Sequence, residues 1–181
     1  MGAFRAWFRQ AWLVLAVAAI VLLLDRWSKE WVRANLPKGE RIPIIGEWLM
    51  FQHVDNYGAA FGLFQNANTL FMIVAILLSA GMLIYVRYLP SEGWFLRVLL
   101  GFMLGGALGN LVDRMTQGFV TDFILMGIPG RFYWPNYNVA DMGVVGGTVG
   151  LALVVLWEDL FVRRRTDDQP AGDPDANPEQ P

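Results

Sequence analysis

Asp113, Asp122 and Asp141 lie at or near the ends of apolar runs, where a carboxylate is expensive unless it has a partner or a task. Asn110 and Asp113 are spaced i, i+3 and share a helix face; Asn138 and Asp141 repeat the spacing at the start of a later apolar run. Asp122 stands between them, after a turn at Gly118 and a short apolar strand-like piece. From Asp122 to Asp141 the chain carries Gly127, Pro129, Gly130 and Pro135, so it can loop out, return and set Asp122 opposite Asp141 across a cleft. Two carboxylates that close cannot both ionise, and they share one proton. One then takes a proton from water while the other donates to a carbonyl oxygen, as in aspartic proteases.

That chemistry needs neither thiol nor metal. The chain has no cysteine and a single histidine, His53, which excludes thiolate sites and multi-histidine zinc, copper or iron sites. No cofactor is expected. Plainer roles exist for several residues. Asp113 next to Arg114 suits an ion pair or a cap, and Asp25 suits an i, i+4 pair with Lys29. His53 suits a surface position. Trp27, Trp31, Trp48 and Trp134 suit interfacial anchors. A transporter using the carboxylates as a proton relay is a rival reading, although no inverted repeat supports it. A four-helix scaffold without enzymatic activity is another; it leaves the clustered Asn and Asp residues without a purpose.

The elements that must position these residues are apolar helices. Of 181 residues, 55% are hydrophobic, above the ~45–50% of soluble globular domains. They fall in long blocks, so the chain reads as an integral membrane protein, mainly α, with four transmembrane helices and a small extracytoplasmic β-rich segment. The spans are expected at about 10–32, 68–87, 95–113 and 139–161. Residues 11–24 resemble the apolar region of a signal peptide, but the helical pattern continues past Asp25 to about Val32, which favours an uncleaved first span. Residues 36–66 form the longest polar connection. Within it, 42–45 and 48–54 read as strands of a small sheet on the membrane surface. The tail 166–181, rich in Pro and Asp, is expected to be disordered, leaving 1–165 as the folded domain. Gly101, Gly105 and Gly109, and likewise Gly143 with Gly147, put small residues on one face of the third and fourth spans, so these two helices are expected to meet there.

Four spans put both termini on one side. Basic residues are balanced between the sides: Arg5, Arg9, Arg87, Arg97 and 163–165 against Arg26, Lys29, Arg33, Lys38, Arg41, Arg114 and Arg131. Short terminal-side loops and the triple arginine abutting the last span favour cytoplasmic termini.

Five segments, in order, resemble the motifs of the lipoprotein signal peptidase (signal peptidase II) family of the bacterial plasma membrane. Asp25-Arg26-Trp27-Ser28-Lys29 is similar to D-x-x-[ST]-K, and Asn56-Tyr57-Gly58-Ala59-Ala60-Phe61 to N-x-G-x-A-F. Residues 105–114 are similar to G-G-x-x-G-N-x-x-D-R, 120–123 to V-x-D-F, and 138–141 to the end of F-N-x-A-D, with Tyr137 where the family usually has Phe. The resemblance covers the chain to about residue 162. It implies an aspartic endopeptidase with Asp122 and Asp141 as catalytic dyad. Asn56, Gly58, Asn110, Arg114 and Asn138 would line the substrate pocket, supported by Asp25, Lys29 and Asp113. It also implies the partners: a diacylglyceryl-modified prolipoprotein cut just before its lipidated cysteine, membrane lipid and the inhibitor globomycin, with no nucleic acid. The active face would be the outer one.

Overall fold

The computed structural model describes residues 2–58, 67–89 and 93–163. Helix α1 spans Gly2–Asn35, α2 Asn68–Tyr85 with a 3-10 turn at Val86–Tyr88, α3 Trp94–Gln117 and α4 Val139–Trp157, which runs on as a π-helical turn over Glu158–Arg163. All four are long and apolar enough to cross a membrane. The outward faces carry large exposed side chains such as Leu23, Leu24, Ile76, Leu77, Leu78 and Val155, while α2 buries only Ser79. A helix apolar on its outer face suits lipid.

At the end of the bundle where α1 and α3 finish and α2 and α4 begin lies a four-stranded antiparallel sheet, ordered β1-β2-β3-β4. Its strands are Arg41–Ile45, Leu49–Asn56, Val120–Ile128 and Phe132–Tyr133. The first two match the aliphatic and aromatic runs. The return between Asp122 and Asp141 is more ordered than a loop. Leu125 and Met126 pair with Met50 and Leu49, and a hairpin through Gly130, at φ 70°, leads into β4. Val32, Leu36 and Phe123 form a buried cluster that ties the end of α1 to β3.

α3 is the central helix, and its glycines serve two neighbours. The expected α3–α4 meeting holds only in part. A Cβ on Gly101 would lie 2.7 Å from Val17 Cβ, and one on Gly105 2.6 Å from the Ala18 carbonyl, so this row packs on α1. The approach to α4 is made by Gly106, where a Cβ would run into the Ala140 carbonyl, and by Gly143 and Gly147 against the Phe102 and Leu99 carbonyls. A four-residue glycine repeat reveals a close-packing face but not the partner. Gly109 sits where the helices converge, against both Asp25 and Ala140.

His53 is also not at the surface. It is 4% exposed, with Nδ1 3.1 Å from the Leu36 carbonyl oxygen, because the bulge in the β2–β3 pairing turns it beneath the end of α1.

Candidate active site

Asp122 is held by strand geometry. In the β2–β3 register Val54 lies opposite Asp122 and Asn56 opposite Val120, which makes Asn56 the diagonal neighbour of the carboxylate. Asn56 Nδ2 donates to Asp122 Oδ2 at 2.8 Å, and Asn138 Nδ2 donates to Asp122 Oδ1 at 2.6 Å. Asp122 is 2% exposed.

Asp141 is held by helix geometry. Tyr137 bridges to β3: its carbonyl accepts from the amides of Phe123 and Ile124, and its own amide donates to the Ile124 carbonyl at 3.1 Å. That bridge sets the start of α4 beside Asp122. Asn138 is the N-cap, in extended conformation, and Asp141 is N3 of a capping box. The Asp141 amide donates to Asn138 Oδ1 at 2.9 Å, and the Asn138 amide donates to Asp141 Oδ2 at 3.2 Å. The other oxygen, Oδ1, accepts from Asn110 Nδ2 at 2.7 Å.

Each of the three asparagines has its oxygen engaged by a donor and its NH2 turned to a carboxylate. Gly58 N donates to Asn56 Oδ1 at 3.0 Å, Asp141 N to Asn138 Oδ1, and Lys29 Nζ to Asn110 Oδ1 at 3.0 Å. Asn138 also links the halves, its Nδ2 donating to Asn110 Oδ1 at 3.2 Å.

Behind this layer Lys29, Asp25 and Asp113 are fully buried. Lys29 Nζ lies 2.8 Å from Asp25 Oδ2 and 3.0 Å from Asp113 Oδ2. Asp25 Oδ1 accepts the Ala140 amide at 2.9 Å, reaching the first turn of α4. Asp113 pairs with α1, not with Arg114: Arg26 Nη1 contacts Oδ1, and the Thr121 amide donates to Oδ2 at 3.2 Å. Arg33 donates to Thr121 Oγ1 at 2.7 Å. Arg26, Arg33 and Thr121 escape the sequence reading; their signal is the i, i+3 and i, i+4 spacing of both arginines around Lys29.

Asp122 and Asp141 line one cleft of about 510 Å³. Asn56, Gly58, Asn110, Arg114 and Tyr137 line it as well, with Phe71, Trp134, Met142 and Val145 as apolar walls; Asn138, expected in the lining, is instead fully buried behind it, because its side chain caps α4 and holds Asp122. Trp134, expected as an interfacial anchor, therefore also faces the cleft. Arg114 stacks over the Phe71 ring at 5.0 Å and donates to the Gly58 carbonyl at 3.4 Å. Burial, then the charge of Asp141, pushes the Asp122 carboxyl up to about 7, against two hydrogen bonds that favour its anion. A carboxylic acid poised near neutrality beside a second carboxyl can hold and release a proton during a reaction. Among the described residues no group of three or more His, Cys, Asp and Glu forms a metal-binding cluster. Of the residues singled out, Ala59, Ala60 and Phe61 and the tail 166–181 lie outside the described residues.

Known proteins resemble this chain over most of its length. The family described as Signal peptidase (SPase) II matches residues 17–157. The lipoprotein signal peptidase of Symbiobacterium thermophilum is 41% identical, over 85% of this chain and 97% of the relative, and that of Moorella thermoacetica 40%, over 81% and 92%. A solved structure described as a bacterial membrane enzyme superposes with a TM-score of 0.73 at 25% identity, covering 81% of this chain and 89% of the other. A second, of the same description, gives 0.69 at 26%. The family match and these relatives place the chain in the signal peptidase II family of bacterial multi-pass membrane proteases.

Proposed function

We propose that the protein is a membrane aspartic endopeptidase that removes the signal peptide from diacylglyceryl-modified prolipoproteins, cutting just before the lipidated cysteine, with Asp122 and Asp141 as the reacting pair. The observation that carries the reading is the continuous hydrogen-bonded line of Asn56, Asp122, Asn138, Asp141 and Asn110 along one cleft. A water between the carboxyls loses a proton to the ionised one and attacks the scissile carbonyl carbon. The protonated one donates to the carbonyl oxygen, giving a neutral tetrahedral diol. Collapse returns a proton to the departing amide nitrogen and leaves a carboxylic acid on the signal peptide. The fixed amides hold both carboxyls in place without adding charge, and the shared proton keeps the pair from carrying two negative charges in a buried site.

Asn56, Gly58, Asn110 and Arg114 line the substrate pocket, Asn138 acts from behind it by holding Asp122, and Asp25, Lys29 and Asp113 support them. The cleft joins polar donors to apolar walls at the sheet end of the bundle, which suits a scissile bond held at the headgroup level by a signal helix on one side and acyl chains on the other. With both termini cytoplasmic, that end is the outer face. Globomycin would occupy the same cleft.

The test is a gel-shift cleavage assay in detergent with a diacylglyceryl-modified prolipoprotein, its unlipidated control and globomycin. Cleavage of the lipidated form alone, blocked by globomycin, is expected. Asp122→Asn or Asp141→Asn is expected to lower turnover by about 10²–10⁴-fold in folded protein. Full turnover in both variants refutes the dyad.

A further inference from the structure

Asn110 is the one member of the amide set whose orientation is fixed from another helix. Asn56 is locked by Gly58 two residues on, and Asn138 by the first turn of its own helix. The Asn110 oxygen instead meets Lys29 of α1, a residue 81 positions away along the chain.

An asparagine side chain can rotate by a half-turn and exchange its oxygen and nitrogen at little cost in shape. The partners alone decide which end faces which. Toward the cleft, Asn110 faces a carboxylate oxygen of Asp141, an acceptor whenever ionised. Toward the core it faces an ammonium, which donates and never accepts. Lys29 is fully buried with three acceptors around its nitrogen: Asp25 Oδ2, Asp113 Oδ2 and Asn110 Oδ1, at 2.8, 3.0 and 3.0 Å. The two carboxylates hold the ammonium in place as ion pairs, and its hydrogen bond goes to Asn110 Oδ1. A flip of Asn110 would set NH2 against the ammonium and a carbonyl oxygen against Asp141, breaking both charge-assisted bonds at once. The other donor to Asn110 Oδ1, Asn138 Nδ2, is longer at 3.2 Å and also serves Asp122 at 2.6 Å.

We propose that Lys29 is a positioning residue for Asp141: its buried ammonium fixes the Asn110 amide so that the NH2, and not the carbonyl, faces the reacting carboxyl. This rests on the peptidase reading above. The two buried aspartates are then the counter-charges that allow the lock to be a cation inside the bundle, and Arg26 balances the remainder of Asp113.

The test is a double-mutant cycle on kcat for cleavage of the diacylglyceryl-modified prolipoprotein. It is run in an Asp25→Asn background, so that Lys29→Met does not strand a buried charge, Asp113 keeping Arg26, with thermal unfolding and size-exclusion confirming folding. With Asn110 intact, Lys29→Met is expected to lower kcat on the order of 10²-fold, as misplacement of a reacting group does, with KM little changed. With Asn110→Ala already present, the same lysine change is expected to alter kcat less than about twofold, because the group it acts through is gone. Losses that multiply in the two backgrounds mean a general structural role and overturn the inference. If Lys29→Met does not fold with Asp25→Asn, the cycle is repeated with Lys29→Leu in the same background. Asn110→Ala alone needs no lysine variant, and full kcat there overturns the inference outright. Absence of cleavage by the unaltered protein refutes the peptidase reading itself, and the inference with it.

Discussion

Replacing Asp122 by asparagine removes a titrating group from a place that opposes its charge, so the change should be read in stability as well as in turnover. The carboxyl is held up to about 7 in the folded protein against an ordinary 3.8, chiefly by burial. In the unfolded chain it ionises near its ordinary value, so between those pH values the folded state binds more protons than the unfolded one. Stability therefore falls as pH rises from about 4 to about 7, by roughly 4 kcal/mol at about 1.4 kcal/mol per pH unit. The Asp122→Asn variant would lose this carboxyl's part of that dependence. It would, however, set its new NH2 against one of the two amide donors, Asn56 or Asn138, losing a buried hydrogen bond worth about 1–3 kcal/mol. The expected result is a sign change: Asp122→Asn is less stable than the parent by about 1–3 kcal/mol at pH 4 and more stable by a similar amount at pH 8. Unfolding in mixed detergent micelles, followed by tryptophan fluorescence at both pH values, measures the difference. A stability difference that is the same at pH 4 and pH 8 refutes the reasoning, because it would mean that burial does not oppose the charge of this carboxyl.

Three further outcomes follow from the site and its frame. The shared proton is lost as pH rises through about 7, so kcat/KM for the lipidated substrate should decline on the alkaline side of that value; a flat profile from about pH 6 to 9 contradicts it. Gly106→Ala drives a methyl into the Ala140 backbone carbonyl and is expected to destabilise by about 1–3 kcal/mol, whereas Gly146→Ala, with open space around it, should cost nothing measurable in the same unfolding assay. Asn138→Ala removes the N-cap of α4 and a donor to Asp122 together; a loss of about 2–4 kcal/mol is expected from the two contributions, with helix α4 still formed by circular dichroism.

What the sequence makes legible follows the range of the interactions. Helices α1 to α4 come from local hydropathy, and β1 and β2 from short aliphatic and aromatic runs, all properties of neighbouring residues. The Asn138 and Asp141 spacing is likewise local, and it proves to be a capping box. What stays hidden depends on partners far along the chain. Gly127 and Pro129 suggest a loop after Asp122, but pairing with β2 makes the return a strand as far as Ile128. Arg114 is the nearest cation to Asp113 in sequence, yet the partners are Arg26 and Lys29. His53 is polar and so reads as superficial; the bulge that buries it cannot be seen without the β3 register. Spacing and resemblance nominate Asp122 and Asp141, and the cleft they share emerges only from the Tyr137 bridge to Ile124.

The buried lysine has a consequence for the order in which the protein is built. An isolated α1 entering a bilayer carries Asp25 and Lys29 as an i, i+4 pair that neutralises itself within one helix. An isolated α3 has no such internal remedy for Asp113, whose counter-ions Arg26 and Lys29 both belong to α1. α3 can thus settle in lipid at low cost only where α1 already stands. Synthesis from the N-terminus delivers the two in that order, so the first helix acts as an assembly template, receiving the third through the row of Gly101 and Gly105 and discharging its carboxylate on arrival.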